Sequence, residues 1–208
     1  HINSFKKFYI SIYIMNPKSK ISKTYMKFNK FLDSCKVSKE DTYTHVSMGE
    51  PYGRFFIGED NKEKFFKLYK KAIVTKKSTY HILESMKQYA PIVCDIDFNV
   101  PKEKYANSRC YNEDTIKLCI RLYNNAISNF LKVPMNRLQA FVMEKPSATD
   151  KGNMFKDGLH IIYPFVCAKY ELRHAIRQHV IDAVEKNDLF SNIELLNDMN
   201  NIFDKQSI

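Results

Sequence analysis

The stretch Pro91-Ile92-Val93-Cys94-Asp95-Ile96-Asp97-Phe98 sets two aspartates into an otherwise apolar run. Side chains two apart on a β-strand point to the same side, so Asp95 and Asp97 share one face. Two carboxylates at that spacing repel each other and resist burial among apolar groups. A cation held between them relieves both costs, and hard oxygen ligands favour Mg²⁺ or Mn²⁺. The strand therefore reads as part of a two-metal phosphoryl-transfer site. The plainer reading is a surface strand that ends in two solvated acids.

Upstream of this strand, Phe28, Phe31, Leu32 and Cys35 fall at i, i+3, i+4 and i+7, which predicts a helix over residues 22–36. Residues 43–48 and 53–57 are short strand candidates. A second helix is expected over 60–75, capped by Asp60, with Phe65, Leu68, Tyr69, Ala72 and Ile73 on its apolar face. Residues 79–86 read as a strand. Together, residues 22–86 form a small α/β unit ahead of the acidic strand.

Downstream, Pro101 to Cys110 reads as a polar loop. Asn112 is placed to cap a long helix that runs to about Lys132, with Ile116, Cys119, Tyr123, Ile127 and Phe130 inward. Residues 138–144 read as a strand, 145–156 as a polar loop, 158–166 as a strand and 169–187 as a helix. The order strand, long helix, strand, strand, long helix predicts an α+β sheet with helices on one face and a site on the other. The open face would carry Asp95, Asp97 and His160.

Composition narrows the partners. The 208 residues carry 33 Lys and Arg against 23 acids, a net charge of +10, which favours an anionic partner such as nucleic acid. The many Lys, Asn, Ile and Tyr residues are also what an AT-rich genome encodes without any binding purpose. A hydrophobic content of 44%, with 15 Phe and 13 Tyr, is enough for a substantial core. Five cysteines, with no C-x-x-C and no zinc spacing, predict a reducing compartment without disulfides. The apolar run at residues 8–15 is far shorter than the roughly 20 residues of a membrane span, and no small-residue cleavage site follows it. Met15 reads as a possible start. Residues 1–21 are a poorly defined segment, and the fold is expected to begin at residue 22.

Two further elements join the acidic strand. In Lys156-Asp157-Gly158-Leu159-His160-Ile161-Ile162-Tyr163-Pro164, the residues Leu159, Ile161 and Tyr163 share one face and His160 takes the other. An imidazole there can reach a phosphate beside metal-bound carboxylates, although most lone histidines are structural. Near the end, Ile202-Phe203-Asp204 places an acid at a strand start.

The ordered set hhhDhD, x-x-H inside a strand, then hD resembles the motifs of the archaeo-eukaryotic primase superfamily. Tyr89 to Phe98, Lys156 to Pro164 and Phe203 to Ile208 are closest in wording to the primase domain of primase-helicases from nucleocytoplasmic large DNA viruses. Gly53-Arg54-Phe55 and the His81 to Glu84 strand are similar to the region upstream of that branch's acidic motif. The resemblance covers roughly residues 40–208.

This resemblance implies an RRM-like catalytic core, residues 87–208, preceded by the α/β unit at 22–86. It implies two Mg²⁺ or Mn²⁺ ions held by Asp95, Asp97 and Asp204, with His160 on the phosphates of the incoming nucleotide. Two metals about 3.5–4 Å apart clamp the attacking 3′-hydroxyl and the triphosphate. Lys156 and Arg54 are the candidate triphosphate ligands, ahead of Lys145 and Lys205. The family often has Ser two residues before the motif histidine, and here that position is Gly158. The implied partners are a single-stranded DNA template, nucleoside triphosphates and a helicase domain beyond Ile208, acting at a viral replication site inside the host cell and not at a membrane. The stretch itself carries no G-x-x-x-x-G-K-[ST], so unwinding is expected from elsewhere.

Two other classes compete with this reading. A catalytically inactive module that binds single-stranded nucleic acid would account for the charge and the aromatics, but not for two carboxylates facing the site. A phosphatase or sugar-nucleotide transferase with D-x-D would account for neither His160 nor Asp204.

Overall fold

The computed structural model describes residues 7–9, 23–75, 80–105 and 108–205. The chain divides into two compact units, Ile12–Lys87 and His1–Ser11 with Gln88–Ile208. In the first unit, helices α1 (Lys23–Ser34) and α2 (Glu59–Lys70) accompany an antiparallel sheet. Its strands are β2 (Lys36–Val37), β3 (His45–Ser47), β4 (Gly53–Phe55) and β5 (Ile82–Glu84), in the order β2-β4-β3-β5. Phe28, Phe31, Leu32 and Cys35 are all buried, around Phe55 and Phe65. Gly58, not Asp60, takes the N-cap position of α2 and makes no side-chain cap. Asp60 instead lies in the first turn, where its charge meets the positive end of the helix dipole. A π-helical turn, Lys71–Thr75, continues α2.

The second unit carries the acidic strand. Its elements are β6 (Tyr89–Pro101), α3 (Lys102–Tyr105), α4 (Glu113–Phe130), β7 (Phe141–Glu144), β8 (Thr149–Asp150), β9 (Met154–Lys169), α5 (Tyr170–Lys186), α6 (Met199–Ile202) and β10 (Phe203–Asp204). Strand β1 (Lys7–Tyr9) runs parallel to β7 at the sheet edge, so the sheet takes in residues that lie ahead of the expected start of the fold. The spatial order is β1-β7-β9-β6-β10, and the contacts among β6, β7, β9 and β10 are antiparallel. Connected as β6-α4-β7-β9-α5-β10, this is the β-α-β-β-α-β arrangement, and the mixed α+β fold is compatible with a primase core.

Each face of the sheet follows from alternation. On β6 the even residues Ile92, Cys94, Ile96, Phe98 and Val100 are buried, while the odd residues are not. The buried side packs on Ile116, Cys119, Tyr123 and Ile127 of α4 and on Ile176, Val180 and Val184 of α5. Asn112 caps α4, accepting the Thr115 N–H at 3.1 Å in a capping box, a contact that contributes about 1 kcal/mol. Phe130 does not point inward. It ends α4, is 43% exposed and meets His179 of α5 edge-on, because the last helical turn has run past the core.

Strand β9 begins at Met154, inside the stretch expected to be loop, and β8 pairs with it there. It also runs through Pro164. Tyr163 pairs with Ile92 and Cys167 with Pro91, so Pro164–Val166 bulges without partners on β6. A proline is tolerated at such a bulge because no ladder hydrogen bond is asked of it. The five cysteines are free, and among the described residues no helix is long and apolar enough to cross a membrane.

Candidate active site

Three strands bring the candidate residues together on the open face. Asp95 on β6 is the register partner of His160 on β9 and of Asp204 on β10. His160 Nδ1 lies 3.2 Å from Asp95 Oδ1. One step along, Asp97 pairs with Gly158, and the next pair is Asn99 with Lys156. Lys156 reaches diagonally across, placing its Nζ 2.8 Å from Asp97 Oδ2. Asp95, Asp97, His160, Lys156 and Asp204 are all partly exposed, while their strand neighbours Cys94, Ile96, Leu159, Ile161 and Phe203 are buried.

β10 has two residues and needs outside support. Phe203 and the preceding Ile202 are fully buried, each contributing about 1.5–3 kcal/mol. Asp198 caps α6, accepting the Asn201 N–H at 2.8 Å. Arg177 of α5, itself buried, donates from Nε to the Phe203 carbonyl at 2.5 Å and from Nη2 to the Asn200 carbonyl at 2.8 Å. Beyond β10, the Asn197 side chain continues the edge pairing of β6. Its Nδ2 donates to the Asp97 carbonyl and its Oδ1 accepts from the Asn99 N–H, both at 2.9 Å. These groups fix the backbone on which Asp97 and Asp204 ride.

Gly158 is required by space. A Cβ at this position would lie 2.2 Å from the Ile96 carbonyl oxygen and 3.1 Å from the Asp97 Cα, so the backbones approach too closely for any side chain. A serine side chain has no room here. Behind the strand lies a buried charge cluster. Arg109 Nη1 is 3.2 Å from Asp157 Oδ1 and 3.5 Å from Glu144 Oε1. Arg109 also donates to the Lys145 carbonyl and the Tyr111 hydroxyl, and Tyr111 donates to the Gly158 carbonyl at 2.9 Å. Burial pushes the Asp157 carboxyl above its ordinary pKa, and Glu144 adds to the rise, while Arg109 opposes it.

At the site itself, burial raises the Asp95 pKa. His160 and Lys156 draw it down, and the like charges of Asp97 and Asp204 push it up. Three carboxylates on two adjacent strands thus gather beside His160 and Lys156. The donor set is all oxygen, which suits Mg²⁺ or Mn²⁺. Among the described residues, no three acidic, histidine or cysteine side chains converge closely enough to hold an ion as they stand. Lys156 takes one oxygen of Asp97. The residues therefore fit a divalent cation in the chemistry of their oxygens and in sharing one face, while their side chains, Lys156 on Asp97 among them, are not drawn together around an ion.

Arg54 belongs to the other unit. There Nη1 donates to the Lys39 carbonyl at 2.5 Å, and the guanidinium lies 4.9 Å over the Tyr43 ring. Lys205 follows β10 and is exposed. Sequence reasoning missed Arg177, Asn197 and Arg109. Arg177 had a signal, since it sits within the apolar stripe Ile176, Val180, Ile181 and Val184 of α5, where an arginine needs a buried partner. Asn197 and Arg109 had none.

Known proteins resemble the chain over most of its length. Residues 44–208 match the family described as "C962R protein N-terminal AEP domain", and the chain belongs to this archaeo-eukaryotic primase family. It is similar to "Putative helicase L207/L206" of Acanthamoeba polyphaga mimivirus, with 36% identity over 162 residues, 78% of this chain and 17% of that protein. It is also similar to "Putative helicase 184R" of Invertebrate iridescent virus 6, at 23% identity over 174 residues, 76% of this chain and 18% of that protein. "Putative helicase 121R" of Invertebrate iridescent virus 3 is 24% identical over 135 residues, 62% of this chain and 14% of that protein. The chain thus spans less than a fifth of the length of these relatives. It is a primase-type domain.

Proposed function

We propose that this domain catalyses template-directed nucleotidyl transfer on single-stranded DNA and so makes primers for replication. The observation that carries this reading is the row His160, Asp95, Asp204 across three adjacent strands, with Asp97 one step along. Asp95, Asp97 and Asp204 would hold two Mg²⁺ or Mn²⁺ ions, which, when bound, supply the charge that activates a 3′-hydroxyl and neutralises the leaving pyrophosphate.

The chain's own residues do the rest. His160 keeps Nδ1 on Asp95 and offers Nε2 to a phosphate oxygen of the incoming nucleotide. Lys156 leaves Asp97 for the triphosphate, where its ammonium offsets anionic charge. Cross-strand pairing presets the backbone positions of Asp95, Asp97, His160 and Asp204, so the rearrangement asked for is of side chains, Lys156 first. The relatives are named for helicases and are several times longer, which supports a primase joined in one polypeptide to an unwinding activity, working where viral DNA is copied inside the host cell.

The test is incorporation of labelled nucleotide on a single-stranded template. Incorporation that needs template and Mg²⁺ or Mn²⁺, and stops with EDTA, supports the proposal. Template binding without incorporation, under conditions where the domain is folded, would replace it with an inactive binding module.

A further inference from the structure

The open face changes character within two residues of the carboxylates. The odd residues of β6 share one face, and from Asp95 toward the start of the strand they are Val93, Pro91 and Tyr89. On β9, His160 is followed on that face by Ile162, whose register partner is Phe141 of β7. The ring of Phe141 lies 6.4 Å from Phe165, which the Pro164–Val166 bulge lifts outward until it is 48% exposed. The Arg137 guanidinium stands 6.0 Å from the Phe165 ring. At the far end Tyr89 is 57% exposed, with Lys169 Nζ 5.5 Å from its ring.

Half-exposed rings with a cation against each are not a core left unfinished. The cation contacts contribute only about 0.5–1 kcal/mol at exposed sites, so the fold gains little by keeping them. Single-stranded nucleic acid matches both parts. Its bases stack on aromatic rings at about 1–3 kcal/mol each, and its phosphates take the cations. Between Val93, Ile162, Phe141 and Phe165 no side chain can hydrogen-bond to a base edge or a 2′-hydroxyl, so the strip reads neither sequence nor ribose. Its near end is about 7 Å from His160, two residues along an antiparallel strand.

We propose that the strip from Phe165 and Arg137 across Phe141 to Tyr89 and Lys169 is a sequence-indifferent track for single-stranded DNA leading to Asp95. The track would seat the template of the reaction proposed above and rests on that reading for its purpose, though not for its binding.

The experiment is fluorescence anisotropy of a labelled oligothymidylate with the whole chain, in EDTA and without nucleotide. Variants are Phe165→Ala, Phe165→Tyr and Arg137→Gln, each checked by thermal melting. Phe165→Ala is expected to weaken binding about 5- to 100-fold, while Phe165→Tyr keeps it. Arg137→Gln should weaken binding and flatten its salt dependence, and an abasic oligomer of equal length should bind at least tenfold more weakly. The proposal is overturned if wild type does not bind, if Phe165→Ala and Arg137→Gln bind as wild type does, if the abasic oligomer binds equally, or if RNA or duplex is preferred. An Asp95→Asn, Asp97→Asn double variant should keep oligomer binding. Normal incorporation with an indifferent Phe165→Ala therefore defeats the track alone, and intact track binding without incorporation defeats the nucleotidyl-transfer reading alone.

Discussion

Asp204 is the cross-strand partner of Asp95, joined to it by a strand of only two residues. Phe203 beside it is the register partner of Ile96 and is buried in the core. One dipeptide therefore both anchors the strand and delivers an acid to the site. Asp204→Asn keeps the shape and the anchor but removes the charge. It should lower incorporation about 10³-fold or more while leaving the thermal midpoint unchanged or raised, because a like charge near Asp95 is gone.

Arg177 acts on the same strand from behind. Arg177→Met leaves the Phe203 and Asn200 carbonyls without their charged donor, at a cost of about 2–4 kcal/mol. Chemical denaturation measures that loss. If the role is to position Asp204, kcat should fall more than KM for nucleotide rises in the fraction that remains folded.

Lys156 should separate two effects of opposite sign. Its ammonium competes with a cation for Asp97, so Lys156→Gln is expected to tighten Mn²⁺ binding about two- to fivefold, the range of a partly exposed ion pair. The same variant should raise KM for nucleotide. Calorimetric Mn²⁺ titration and steady-state kinetics on one preparation check both directions.

Gly158 tests the close approach of the strands. An alanine methyl there would meet the Ile96 carbonyl oxygen at 2.2 Å, so Gly158→Ala forces β6 and β9 apart and should cost about 3 kcal/mol or more. Urea unfolding gives the loss. Full stability in Gly158→Ala would show that the strands separate easily.

Arg109 gives a pH dependence with a defined sign. Burial holds the Asp157 carboxyl above its ordinary pKa, so the folded state takes up a proton between the unfolded and folded values. Stability from this group falls as pH rises through that window, and the cost persists above it. Arg109→Met removes the one group that lowers the Asp157 pKa most. Its penalty should be about 3–5 kcal/mol at neutral pH and shrink as pH falls and Asp157 takes up its proton, as read from denaturation midpoints at neutral and acidic pH.

The parts of the site written as alternation were legible in the sequence. Asp95 and Asp97, and His160 against Leu159 and Ile161, need only a period of two, and Asn112 announces its helix by local chemistry. The residues that fix strand edges were not, since Asn197 acts across 98 and 100 residues on Asn99 and Asp97, and no local pattern encodes such a partner. Strand β9 was begun too late, at residue 158, because the polar residues ahead of it read as loop, whereas Met154, Phe155 and Lys156 are held by pairing with β6, a long-range partner that local composition does not announce. Phe130 shows the converse error, a stripe that continues in sequence after the core beneath it has stopped.

The central claim is that the carboxylates of β6 make this domain a metal-dependent nucleotidyltransferase. The most direct measurement compares wild type with an Asp95→Asn, Asp97→Asn double variant for Mg²⁺- or Mn²⁺-dependent incorporation on a single-stranded template, with folding of both followed by circular dichroism. The account predicts incorporation by wild type and none above background by a fully folded double variant. Equal incorporation by the two proteins would contradict it.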